Sequence, residues 1–134
     1  MLRILIADDD YVSRTKLKSI LSQYGRCDTV PNGESAFSMF EKAHEEDIPY
    51  GVISMDILMP DPGQGQNAIK NMREWEKKHK VKKPAKIMIV SQLKDCGNIL
   101  TSFDEGCACY LVKPISPEDI AGALKKLGVI TDEE

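Results

Sequence analysis

With 134 residues, the chain can build one domain with a real core but is too short for two. Hydrophobic residues make up 42% and charged residues 29%, as in ordinary water-soluble domains. A net charge of −3 lacks the basic excess of a nucleic-acid binder, and no apolar run approaches the roughly 18 residues of a membrane span.

The amino terminus runs directly into a strand-like stretch over residues 2–7, without the layout of a signal peptide. Cys27, Cys96, Cys107 and Cys109 match no zinc-binding spacing, so reduced thiols in a cytoplasmic fold are expected. Asp8-Asp9-Asp10 stop the first strand. Leu17, Ile20, Leu21 and Tyr24 then recur at helical spacing until Gly25. A short second strand over residues 27–30 closes at the turn Pro31-Asn32-Gly33, and a second helix sets Ala36, Phe37 and Phe40 on one face.

Tyr50-Gly51-Val52-Ile53-Ser54-Met55-Asp56 reads as a buried strand that ends in one carboxylate. The loop beyond it carries Pro60, Pro62, Gly63 and Gly65, which cannot continue a strand or build a helix interior. An acid at that edge either caps the loop or belongs to a site, and this strand alone leaves both readings open. A third helix is expected over residues 67–79, with Ile69, Met72 and Trp75 inward. It leads into a basic tract of Lys77, Lys78, His79, Lys80, Lys82, Lys83 and Lys86. Cations are favoured at a helix carboxyl end, so a solvated helix end is the expectation and a docking surface the alternative.

Residues 86–90 form a fourth strand, stopped by Ser91, and a helix carrying Ile99, Leu100 and Phe103 follows. A fifth strand over residues 108–112 ends at Lys113-Pro114. The last helix opens with Ser116 as N-cap and Pro117 at its first position, buries Ile120, Leu124 and Leu127, and stops at Gly128.

Five rounds of strand and helix, without a linker, predict an α/β domain spanning residues 1–134, its parallel sheet covered on both faces. Four of the five strands finish on a chemically able residue: Asp8-Asp9, Asp56, Ser91 and Lys113. The carboxyl ends of parallel strands share one edge, so these groups can converge. Separately, Asp8 and Asp9 could be helix caps, Ser91 a turn residue and Lys113 a solvated strand end; together those readings require four coincidences. Two carboxylates about 4 Å apart repel by roughly 4 kcal/mol at an effective dielectric near 20. A cluster of oxygen ligands therefore calls for a cation, and Mg2+ completed by water and phosphate fits. A carboxylate is also a known phosphoryl acceptor.

Ile6-Ala7-Asp8-Asp9-Asp10, Met55-Asp56-Ile57-Leu58-Met59-Pro60, the strand-end Ser91 and Tyr110-Leu111-Val112-Lys113-Pro114 resemble a response-regulator receiver domain of two-component signalling. Val30-Pro31-Asn32-Gly33-Glu34 is similar to that family's second-strand exit. The resemblance implies a flavodoxin-like, doubly wound fold with five helices and a five-stranded parallel sheet of order 2-1-3-4-5. It implies that Asp56 accepts phosphate from a histidine kinase or phosphotransfer protein. Asp9 would bind Mg2+ directly, Asp8 through water, and Asp56 and the Leu58 carbonyl would complete the protein ligands. Ser91 would bond the phosphoryl group, Lys113 would pair with it, and Tyr110 would rotate with Ser91 as the switch. The readout face would be formed by the helix carrying Ile99, the last strand and the last helix.

A chain ending just after its last helix is expected to act alone, switching its binding to a downstream protein, with neither nucleic acid nor membrane as partner. It would not be an enzyme beyond its own phosphoryl transfer and dephosphorylation. Departures from the family pattern are Gln64 where a glycine is usual, a longer basic third-helix region, and Gln92 after Ser91. Apolar Leu58 and Leu93 cannot orient a water, which favours slow loss of the phosphoryl group. A haloacid-type phosphatase needs a second Asp where Leu58 stands. A flavodoxin-like carrier lacks its phosphate loop after the first strand, where three acids would repel the cofactor phosphate. A degenerate receiver that only binds protein would not need every site residue.

Overall fold

A computed structural model describes residues 2–56, 64–91 and 109–130. Five strands, β1 (Arg3–Ala7), β2 (Arg26–Val30), β3 (Val52–Met55), β4 (Lys86–Ser91) and β5 (Cys109–Val112), form one sheet of order β2-β1-β3-β4-β5. Every pairing is parallel. This is the expected flavodoxin-like arrangement. Among the described residues the helices are α1 (Tyr11–Leu21), α2 (Gly33–Glu45), α3 (Gln64–Lys78) and α4 (Pro117–Leu127). The expected helix around Ile99 lies outside the described residues.

The two-residue period of the strands sorts their side chains into two cores. Leu5, Ala7, Ile53, Met55, Ile87 and Ile89 face one side and pack with Phe40, Ala43, Ile69 and Met72 of α2 and α3. Ile4, Ile6, Val52, Met88 and Val90 face the other and pack with Leu17, Leu21, Ile120 and Leu124 of α1 and α4. Burial on both faces explains why these strands read as nearly continuous apolar runs.

Local signals set the helix ends. Asn32 caps α2 by accepting from the Ser35 N–H at 2.7 Å. Ser116 and Asp119 exchange side-chain and backbone bonds in a capping box at the start of α4, and Gly128 ends that helix at φ 80°. Helix α3 begins at Gln64, ahead of the expected residue 67. Gly65 thus falls inside a helix, where burial of Ala68, Ile69 and Met72 offsets a glycine cost of about 1 kcal/mol.

The edge of the fold near β2 depends on one close approach. A Cβ on Gly25 would stand 2.3 Å from the Leu2 carbonyl oxygen, which already accepts from the Arg26 N–H at 2.9 Å. Gly25→Ala is expected to lose about 1–3 kcal/mol in urea denaturation. Gly122→Ala, on the exposed side of α4 with nothing within 4 Å of its added carbon, is expected to gain about 0.5–1 kcal/mol. Equal effects at the two sites would contradict this packing.

Candidate functional site

The chain order makes β1 and β3 neighbours although α1, β2 and α2 intervene between them. The carboxyl ends of these strands flank the point where the winding reverses, the place where open α/β sheets hold ligands. Asp8 follows β1 and Asp56 follows β3. Backbone bonds hold both: the Asp8 N–H donates to the Val30 carbonyl at 3.1 Å, and the Asp56 N–H to the Ala7 carbonyl at 3.0 Å. Lys113 follows β5, and its peptide with Pro114 is cis.

Lys113 Nζ donates to Asp8 Oδ2 at 2.7 Å and to Asp56 Oδ2 at 3.2 Å. All three side chains are largely withdrawn from water, whereas Asp9 stays exposed. One carboxylate oxygen from each of Asp8, Asp9 and Asp56 lies within 4.8 Å of the others. At such spacing each pair repels by roughly 3–4 kcal/mol at an effective dielectric near 20. Within this cluster of described side chains, three acids against the Lys113 ammonium give a formal charge of −2. The donor set is all oxygen, and one ligand faces solvent. These residues fit a hard dication that keeps part of its water, as Mg2+ does.

Burial pushes the Asp8 carboxyl above its ordinary range; the hydrogen bonds from Lys113 and the Asp10 N–H and the Lys113 charge oppose this, and Asp56 adds to it. For Lys113, burial alone acts downward. The bond to Asp8 and the charges of Asp56 and Asp8 outweigh it and hold the ammonium above the usual lysine range. Both shifts favour keeping a proton, as an over-acidic buried cluster must.

Capping of α1 falls to Asp10, which accepts from the Val12 N–H at 3.3 Å and from Ser13 Oγ at 2.9 Å. Asp8 and Asp9 are therefore not its N-cap. The Ser13 bond in turn lowers the Asp10 pKa. Arg14, which the pattern of acids did not reveal, donates from Nη1 to the Asp8 carbonyl at 2.8 Å. Its position is informative only once the helix start is known, because it lies one turn beyond the Asp10 cap.

The backbone of Ser91 ends β4 beside β5, opposite Val112. Tyr110 is half-buried in β5, opposite Ile89, and packs on the α2–α3 side of the sheet. Leu58, Gln92 and Leu93 lie outside the described residues. A cavity of about 360 Å³ opens next to Lys113, lined by Val12, Lys16, Val90 and Ile115 among others. Val12 in its lining is exposed, as is Tyr11 just before it in α1.

A family model described as the response regulator receiver domain matches residues 4–125. The response regulator protein VraR of Staphylococcus saprophyticus is 31% identical over 125 residues, covering 93% of this chain and 56% of that protein. The chain thus spans little more than half of that relative. The chemotaxis protein CheY of Thermotoga maritima is 28% identical over 127 residues, covering 93% of this chain and 96% of that protein. Among solved structures, the chemotaxis protein CheY4 of Vibrio cholerae aligns with a TM-score of 0.79 at 23% identity over 94% of this chain and 98% of its own. The CheX–CheY–BeF3–Mg complex of Borrelia burgdorferi aligns at 0.75 and 22% identity, over 94% of this chain and 86% of its own. At these identities the structural likeness is one of fold.

The folded protein holds the Asp8 proton more tightly than the unfolded chain does, with its ordinary value of 3.8. Asp8 therefore favours folding fully only below that value, and becomes a cost as pH rises through its raised folded value. Asp8→Asn in Mg2+-free buffer at neutral pH is expected to be more stable than wild type by about 1 kcal/mol, the gain fading as the solution is acidified. Urea denaturation across pH measures this, and a destabilised variant at neutral pH would contradict it.

Proposed function

The chain belongs to the response regulator receiver domain family, and from that premise we propose that it is a phospho-acceptor signalling module. Asp56 takes a phosphoryl group from a phosphohistidine on a histidine kinase or phosphotransfer protein, and the phosphorylated form changes its binding to a downstream protein. The observation that carries this reading is the Asp56 carboxylate at the end of β3, with Lys113 Nζ at 3.2 Å and the Asp8 and Asp9 carboxylates beside it.

In this reading an Asp56 carboxylate oxygen forms the new bond to phosphorus while the phosphorus–nitrogen bond of the donor breaks. The imidazole leaves with its electron pair and takes up a proton. Lys113 faces the charge gathering on the phosphoryl oxygens, already oriented by Asp8. Asp8, Asp9 and Asp56 would hold Mg2+, joined by the Leu58 carbonyl outside the described residues. When bound, the ion supplies charge neutralisation to the transferring group. Exposed Tyr11 and Val12 on α1 offer the donor protein an apolar surface next to the acceptor.

Ser91 would bond the new phosphoryl group and, together with Tyr110, convert it into a change at the surface formed in part by β5 and α4. The module acts on no separate substrate; its chemistry is limited to its own phosphorylation and dephosphorylation. Among the described residues no helix is long and apolar enough to cross a membrane. With Cys27 and Cys109 as free thiols, a cytoplasmic site of action belongs to this reading.

Acetyl phosphate with Mg2+ is expected to add one phosphoryl group by mass spectrometry, lost in Asp56→Asn and after chelation of the metal. Lys113→Met should label more slowly by roughly 10²-fold. Undiminished labelling of Asp56→Asn would overturn the assignment. For the switch, a fluorotyrosine resonance at position 110 should shift when beryllofluoride and Mg2+ are added to wild type and stay in place in Ser91→Ala. A resonance that shifts equally in both sets aside the role of Ser91.

A further inference from the structure

The basic tract beyond α3 lies at the opposite pole of the sheet from the acidic site. Seven of the 18 Lys and Arg residues fall within residues 73–86, against two of the 21 acids. That window carries a formal +5, and the rest of the chain −8. Lys77, Lys78, Lys80, Lys82, Lys83 and Lys86 are all exposed. The helix dipole accounts for Lys77 and Lys78 in the last turn of α3, but its influence ends within that turn. Lys80, Lys82, Lys83 and Lys86 lie past it and need another reason.

The segment that bears them is held in shape. Glu76 is buried, accepting from Arg73 Nη1 at 2.7 Å and from the Ala85 N–H at 2.8 Å. The Val81 N–H donates to the Glu76 carbonyl at 3.0 Å, and Lys80 turns the chain at φ 53°. One buried side chain therefore ties the end of α3 to the residues entering β4. Between them lies a cavity of about 530 Å³, with Val81, Pro84 and Ala85 supplying its apolar part; its charge comes from Lys77, Lys80 and Lys86 and from the paired Arg73 and Glu76. Among the described residues these three lysines have no ion-pair partner.

We propose that this cleft between the end of α3 and the start of β4 is a docking site for an acidic segment of a partner protein, with carboxylates on the lysine rim and an apolar side chain against Val81, Pro84 and Ala85. The charge separation within the chain favours this occupant over nucleic acid. A duplex extends well beyond the cleft and would meet the rest of a chain whose formal charge is −8, whereas a short peptide stays within the basic patch. An apolar pocket also has no complement in a phosphate backbone. The cleft is roughly 15–20 Å from the strand ends that carry Asp56, the length of β4, so a docked segment leaves the phosphorylation site open.

The test is fluorescence anisotropy with the full chain and a labelled short peptide of Glu and Asp around one Leu. Binding is expected to weaken on the order of ten-fold between about 0.05 M and 0.5 M salt. It should weaken at least as much in Lys80→Glu with Lys86→Glu, and less in Lys18→Glu with Lys42→Glu, which carries the same net charge. Replacing the Leu of the peptide by Ser should cost several-fold. Binding unaffected by the cleft substitutions, no binding at low salt, or tighter binding of a random-sequence DNA duplex would each overturn the proposal. Acetyl phosphate labelling of the Lys80→Glu, Lys86→Glu variant should equal wild type, so a failure here is distinct from a failure of phosphoryl acceptance.

Discussion

Two carboxylates buried at adjacent strand ends require a counter-charge, and Lys113 supplies it. Its ammonium lies 2.7 Å from Asp8 and 3.2 Å from Asp56, partners 105 and 57 residues away in the chain. No local element can make such a contact. It exists because β1, β3 and β5 run parallel in one sheet, so their carboxyl ends meet at one edge. Asp9 brings a third carboxylate oxygen within 4.8 Å of theirs, so among the described side chains of the cluster the acids outnumber the Lys113 ammonium. That imbalance prepares the site for added positive charge and for an anion that brings its own counter-ion.

The remainder of the fold holds this edge still. Each central strand has apolar residues on both faces, and each face is covered by two of the described helices. Asp8 and Asp56 are the first polar residues after β1 and β3, so their backbones continue the ladder while their side chains leave the core. Asp10 takes over helix capping and Arg14 holds the Asp8 carbonyl. Neighbouring residues thus divide the structural tasks and leave Asp8 and Asp9 to the site.

Charge divides the molecule into two poles. The carboxyl edge of the sheet is acidic, and the amino-end side near Lys86 is basic. Both poles are organised by a buried acid, but in opposite ways. Asp8 and Asp56 share the ammonium of Lys113, while Glu76 is held by an arginine and a backbone N–H. The first arrangement suits chemistry and the second suits a rigid support. The proposed phosphoryl switch and the proposed docking cleft, on opposite poles, would operate without competing for surface.

Much of this was legible in the residue order. Short apolar runs bounded by turn signals located all five strands, and Asn32-Gly33, Ser116-Pro117 and Gly128 marked helix ends, because capping and turn chemistry are local. The acids and the lysine after the strands identified the candidate site, because parallel topology sends every such end to one edge. Other features depended on contacts between distant segments. The sequence alone could not tell which of Asp8, Asp9 and Asp10 would cap α1, since all three are good N-caps and the packing of the helix chooses among them. It could not reveal the role of Glu76, an ordinary helix residue until its carboxylate meets the Ala85 N–H across a loop. The Lys77–Lys86 tract read as a solvated helix end because composition records charge but not concavity. Only the tertiary structure folds that tract back against Val81, Pro84 and Ala85 and makes a cleft of it.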